Sequence, residues 1–283
     1  MTNSVLTNAS ALIALQNLNS TNNKLAATQS RVNTGLKVQG AKDNAATWAI
    51  AQNQRADTGA LEAVKTSMNR ATSLADVSLA AGAQISDLLI ELREKATAAA
   101  DPSSTPTSRK AYNDEFQSLL KSLGSFAKNA TFDGENILDG ASTAPLNFLA
   151  NVGATETISL NRQDMSLAGL SLDTTDFTAP ATAFDLLSAD NAASALTQVK
   201  AALDTANANL AELGAQSKQI EKHNIFVGKL MDSLEVGIGN LVDADMAKES
   251  ARLQALQVQQ QLGAQALSIA NQAPQIILSL FKG

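Results

Sequence analysis

The 283-residue chain carries 27 acidic against 21 basic side chains, one histidine, no cysteine and only 4% aromatic residues. With no basic cluster to neutralise phosphates, the composition opposes nucleic acid as a partner. The absence of thiols excludes disulfides, thiolate chemistry and Cys-based zinc sites. Ala, Leu, Gln, Asn, Ser and Thr dominate and proline is limited to five positions, a mixture that predicts a mainly α fold without a large aromatic core.

Charge distribution says more than the total. No ionisable side chain occurs from Met1 to Asn23 or from Leu253 to Phe281, whereas charges are scattered between. The C-terminal stretch is too rich in glutamine to be lipid-embedded, since unsatisfied amides are costly in a bilayer; no membrane partner is expected. A long uncharged helix that is not in lipid calls for burial against other protein. The first 20 residues lack the basic region and continuous apolar run of a cleaved secretory signal.

In chain order, Leu18, Leu25 and Val32 recur every seven residues in a first helix, extended by Leu15 and Leu36, with Asn22 and Gln29 at the alternate positions. Gly35 and Gly40 then predict a connector over 34–43, followed by a helix capped by Asp43 or Asn44 and running to about Ala100, with Ile85, Leu88, Leu89 and Leu92 on one face. The run DPSSTPTS (101–108) predicts a reversal, its prolines ending one helix and Thr107 or Ser108 capping the next. Tyr112, Phe116, Leu119, Leu123, Phe126 and Ala130 follow at 4,3 spacing as a helical seam.

FDGENILDG (132–140) reads as turns, and the segments NFLANV and ETISL between 147 and 160 as a small β-hairpin, with more turn chemistry at Phe177–Pro180. Helix resumes near Asp190 with the most regular seam of the chain: Leu196, Val199, Leu203, Ala206, Leu210, Leu213, Ser217, Ile220, Asn224, Val227, Met231 and Leu234. The last segment has one stripe at Val258, Leu262, Ala266, Ile269, Ala273, Ile276 and Leu280 and a second at Leu253, Leu256, Leu267, Ala270 and Ile277. Two apolar faces call for at least two neighbours, so the ends are expected to gain more from assembly than from each other. Pro274 predicts a kink or fraying of the last turns.

Together these elements predict an elongated, mainly α chain with a small β-hairpin region in the middle. Its parts are an N-terminal helix over 1–33, the connector 34–43, helices over 44–130, the turn and hairpin region 131–184, a helix over 185–240 and a C-terminal helix over 241–283. No catalytic, cofactor or metal site is expected. His223 has no second histidine to share a metal and reads as a solvated helix residue. Asp243 and Asp245 lack the glycine and closing glutamate of a calcium loop, and Asp243 reads as a helix cap. GAKDNAAT is not a phosphate loop. Three N-glycosylation triplets carry little weight in so Asn-, Ser- and Thr-rich a chain, and Trp48 reads as a packing anchor.

The segments VNTGLKVQGAKDNAATWAIAQ (32–52), NATFDGENILDG (129–140), NVGATETISL (151–160) and the tail from Val242 to Phe281 resemble bacterial flagellin along essentially the whole chain. The resemblance implies that the N- and C-terminal halves pair in an elongated antiparallel helical bundle, and that the chain is a structural subunit, not an enzyme, that polymerises into the flagellar filament for motility. Its alternative is a hook-filament junction protein with flagellin-like ends. The implied self-assembly interface comprises Leu15, Leu18, Leu25, Val32, Val258, Leu262, Ile269, Ile276 and Leu280. The implied rod-domain seam comprises Tyr112, Phe116, Leu119, Leu123 and Phe126 with Leu196, Val199, Leu203, Leu210, Leu213, Ile220, Val227 and Leu234. Implied partners are many copies of the chain, filament cap and hook-associated proteins and a flagellar export chaperone. The implied location is the extracellular filament, reached without a cleaved signal. The large outer domains of longer family members are missing. Asp43-Asn44-Ala45-Ala46-Thr47-Trp48 departs from the family's usual Asp-Asp-Ala-Ala-Gly-Leu, and Glu91 replaces a common Arg in the segment read by an innate immune receptor, for which weak recognition is expected.

Overall fold

The computed structural model of the chain describes residues 8–172 and 184–280, the last eight of these as backbone only. Five helices carry the fold: α1 (Ala9–Thr34), α2 (Ala45–Ala100), α3 (Pro106–Asn129), α4 (Ala189–Val242) and α5 (Met246–Leu280). Between α3 and α4 lie two antiparallel two-stranded sheets, β1 (Thr131–Phe132) with β2 (Glu135–Asn136) and β3 (Leu146–Leu149) with β4 (Thr157–Leu160). The turn segment Phe177–Pro180 lies outside the described residues. Contacts divide the chain into two compact units, residues 1–58 with 232–283 and residues 59–231.

In the first unit α1 and α5 pack antiparallel. Asn8 caps α1 by accepting the Ala11 N–H (3.1 Å), and its own amide donates to the Ala270 carbonyl at 2.7 Å. Gln260 donates to Asn22 at 2.8 Å, and Arg31 faces Glu249 at 3.5 Å. Gly263 makes the close approach possible, because a Cβ there would stand 3.2 Å from Leu18 Cδ1. Gly35 closes α1 in the left-handed conformation, and Asn44, not Asp43, caps α2 by accepting the Thr47 N–H. Asp43 instead accepts the Gln39 and Gly40 N–H groups within the connector.

The connector is fastened to the α4–α5 junction. Leu36 pairs with Asp243, Lys37 and Val38 both donate to the Val242 carbonyl, and Ala244 donates to Gly35. Beneath these bonds Val38, Ala51 and Val242 form a small core, with Trp48, Leu36, Ile238 and Leu241 against it. Asp243 therefore sits in an isolated β-bridge, and the cap of α5 is Asp245, which accepts the Lys248 N–H at 3.1 Å. α5 remains helical through Pro274 to Leu280, so the expected fraying does not end the helix there.

In the second unit α2 lies antiparallel to both α3 and α4. Ser86 bonds Asn207 and Asn69 bonds Asn224 across α2 and α4. Across α2 and α3, Lys95 pairs with Glu115 at 2.6 Å, which holds its ammonium above the usual lysine range, and Arg109 donates to the Ala99 carbonyl. The reversal differs from its sequence reading. Thr105, whose hydroxyl accepts the Ser108 N–H, is the cap of α3, and Pro106 opens that helix because its missing N–H is unneeded at the first position.

FDGEN is not only turn. Asp133 and Gly134, both with positive φ, make a two-residue hairpin joining β1 to β2. Asn136, buried at its end, donates to the last α3 carbonyls at Ala127 and Lys128 and accepts the Leu138 N–H, so one amide closes α3 and starts the next turn. Arg162 ties this turn down through Glu135 at 2.7 Å and the carbonyls of Asn136 and Ala144. The β3–β4 hairpin pairs Phe148 with Ile158 and Leu146 with Leu160.

Replacing Asn136 by Ala strands those carbonyls and should cost about 1–3 kcal/mol, read as a lower thermal midpoint, while Thr105→Ala should cost about 1 kcal/mol. A midpoint unchanged by Asn136→Ala would contradict the capping role. Gly263→Val should weaken the α1–α5 packing by about 1–3 kcal/mol, seen as faster amide hydrogen exchange along α1; unchanged exchange would show that Leu18 simply moves aside.

Candidate self-assembly faces

The surfaces open to other copies are those left after the chain has packed on itself. On α1 the side chains turned toward α5 are Ala11, Ala14, Leu18, Asn22, Leu25, Thr28 and Val32, of which only Leu25 and Thr28 are fully buried. On α5 the corresponding set is Glu249, Leu253, Leu256, Gln260, Gly263, Leu267 and Ala270, spaced 4,3,4,3,4,3. The intrachain seam is thus the second of the two α5 stripes. The first remains outside it: Leu262 is 59% and Ile269 69% exposed, against 5% for Leu256, and Val258 is exposed as well.

On α1, Leu15 is exposed together with Leu12 and Ile13, whereas Leu18 and Val32 are half-buried and Leu25 is buried against α5. Gln29, read from the sequence as part of the seam, points outward, and Thr28 takes the inner position. Ile276 and Leu280 fall among the residues described as backbone only. The residues named for self-assembly therefore divide in two. Leu18, Leu25 and Val32 serve the pairing of α1 with α5, and Leu15, Val258, Leu262 and Ile269 are left exposed by the described residues.

The second unit shows a similar division. On α4, Val199, Leu213, Ile220 and Val227 are buried at heptad spacing, and Leu196, Leu203 and Leu210 flank them half-buried; Leu234, also half-buried, belongs to the first unit. On α3 the buried stripe is Phe116, Leu120, Leu123 and Ala127, with Phe116 against Phe184 at 5.3 Å between ring centroids. Tyr112 and Leu119 sit half-buried at its margin, and Phe126 lies outside it, exposed. The stripe has turned by one position because Leu119 and Leu120 are adjacent and either continues a 4,3 pattern.

His223 is not a solvated residue: its Nε2 lies 2.7 Å from the Ala150 carbonyl, pinning the β3–β4 loop to α4. Among the described residues no group of three or more His, Asp or Glu side chains is placed to hold a metal. One helix, α2, contains an 18-residue window with mean hydropathy 1.2, the length and composition of a membrane span; a third of it is buried, and the same helix supplies the core positions Leu61, Val64, Met68, Ile85 and Leu89.

Comparison with known proteins places these faces in context. Residues 5–143 match the family description bacterial flagellin N-terminal helical region, and residues 196–281 match bacterial flagellin C-terminal helical region. Flagellin FljJ of Caulobacter vibrioides is 50% identical over 99% of both chains, and a flagellin of Brucella melitensis is 40% identical over 99% of both. A solved chain assigned as a flagellar hook-associated protein of Vibrio parahaemolyticus superposes on 71% of this chain, and on 100% of its own length, with a TM-score of 0.58 at 13% identity, a likeness of fold alone. Matched at both helical ends and related over its whole length to flagellins, the chain belongs to the bacterial flagellin family, a family of structural filament proteins and not of enzymes.

Proposed function

We propose that this chain is the repeating subunit of an extracellular flagellar filament, held to its neighbours by the uncovered face of the α1–α5 pair. The observation that carries the reading is that α5 has two apolar stripes and the chain uses only one. A stripe containing Val258, Leu262 and Ile269, with no charge between Leu253 and Phe281 to keep it solvated, is an unstable surface in water. Covering it with further copies removes that surface.

The pair is thin by itself. Its fully buried apolar side chains are Leu25 and Leu256 among the described residues, so neighbours supply the burial that the intrachain seam lacks. A subunit gains this only where several others already stand, which favours addition to a growing end over dimerisation. The likeness to flagellins adds the remaining partners: a filament cap beneath which subunits add, hook-associated proteins at the base and an export chaperone. Export without a cleaved signal belongs to the same reading. The whole-chain identity to flagellins favours a filament subunit over a junction protein.

Removing residues 1–23 or 260–283 should leave a soluble chain that forms no filaments by negative-stain microscopy; normal filaments from either truncation would sink the proposal. In the full-length chain, Ile269→Asp should leave the thermal midpoint within about 0.5 kcal/mol of the parent yet stop polymerisation measured by sedimentation. Filaments at the parental yield would show that the outward stripe is not buried by copies.

A further inference from the structure

Two apolar surfaces on the second unit stand apart from its core. The first is a shallow, open groove between α2 and α3 with a volume of about 360 Å³, lined by Val77, Ala80, Ala81 and Gln84 from α2, by Phe126 from α3 and by Ala130, the residue that follows that helix. Phe126, displaced from the α3 core stripe, forms one wall. The second is a ridge on α4, where Ile225 and Phe226 are exposed, Phe226 by 58%. The Phe226 ring lies 5.9 Å from the His223 ring, and His223 is itself held by the Ala150 carbonyl. An exposed aromatic braced in this way loses little freedom on docking, the property of an interface anchor.

The charges around the two surfaces correspond. On α2 the exposed Asp76 and Asp87 stand at either end of the groove, and on α4 Lys222 and Lys229 stand one turn before and after Phe226 on the same face. The row of Ile225 carries Glu221 and Asp232, and the α3 wall of the groove has Lys128 beside it, so the second row is matched in the opposite sense. None of Asp76, Asp87, Lys128, Glu221, Lys222, Lys229 and Asp232 is in an ion pair among the described residues.

We infer that the α4 ridge at Phe226 docks into the α2–α3 groove of a second copy of this chain. The inference rests on the filament reading and adds a contact made by the second unit, separate from the α1–α5 face. Groove and ridge are different surfaces, so the contact is head-to-tail: each copy offers a ridge to one neighbour and a groove to another. Such a contact, repeated without closing a ring, produces an open helical array. The complementary charges steer the approach and fix which way the ridge enters, and the ring supplies the burial.

The chain has no cysteine, so introduced ones report the contact directly. Full-length Gln84→Cys/Lys229→Cys protein is assembled, treated with a short bis-maleimide and run on a denaturing gel. The expected result is a ladder of dimers, trimers and higher species, with neither single variant giving more than trace dimer. Assembled double-variant filaments without a ladder would overturn the inference, as would strong dimer formation by one single variant, which would mean that like surfaces meet. Filament formation by the unsubstituted chain, scored in parallel, tests the filament reading separately. As a second measurement, Phe226→Ala should raise the critical concentration for polymerisation at least tenfold with an unchanged melting curve, and Ile90→Ala, exposed on the same unit but outside both surfaces, should not. Equal critical concentrations for the two variants would contradict the contact.

Discussion

Three backbone hydrogen bonds between residues 35–38 and 242–244 oblige the two ends of this chain to run side by side. Without them α1 would leave α2, and α5 would leave α4, in directions set only by a glycine connector and a capped break. With them, α1 and α5 start from a common point above the small core of Val38, Ala51 and Val242. Their antiparallel course then brings Leu18 to Gly263 and Asn22 to Gln260. The choice of which α5 stripe is spent within the chain follows from that placement, and so does the stripe left over.

This constraint explains why the ends can be uncharged. The described side chains of α5 from Leu253 to Gln272 are divided between an inner seam, where Gln260 and Asn8 find hydrogen-bonding partners across the pair, and an outer face of Val258, Leu262 and Ile269. Charged residues on either side would have to be desolvated when copies meet, a cost that amides and aliphatic groups largely escape. Arg31 with Glu249, the one ion pair across the two helices among the described residues, lies at the clasped end, where the side chains keep some contact with water.

Much of this was legible in the sequence. Val199, Leu213, Ile220 and Val227 of the α4 seam could be read from their heptad spacing, but at the intervening positions Ala195 and Ala202 are buried in place of Leu196 and Leu203. On α3 the spacing left the choice open, since Leu119 and Leu120 extend equally good patterns, and Leu120 is the one buried, on the stripe of Phe116, Leu123 and Ala127. The two faces of α5 were visible as two stripes, but both are apolar, so nothing local says which one meets α1. That is decided by a glycine opposite a leucine and by a glutamine opposite an asparagine, pairings more than 230 residues apart. The Asp133-Gly134 hairpin and the first-position Pro106 had recognisable signals and were misread as plain punctuation. His223 had no such signal, because its partner is a main-chain carbonyl.

The central claim is that the outer stripe of α5 exists to be covered by other copies while the inner stripe serves α1. A side-chain-resolution electron cryomicroscopy map of assembled filaments tests it most directly. The account predicts Val258, Leu262 and Ile269 in contact with neighbouring subunits and Leu256 still facing α1 of its own chain. A map in which Leu262 and Ile269 face open water, or in which Leu256 has turned away from α1 toward another subunit, would contradict it.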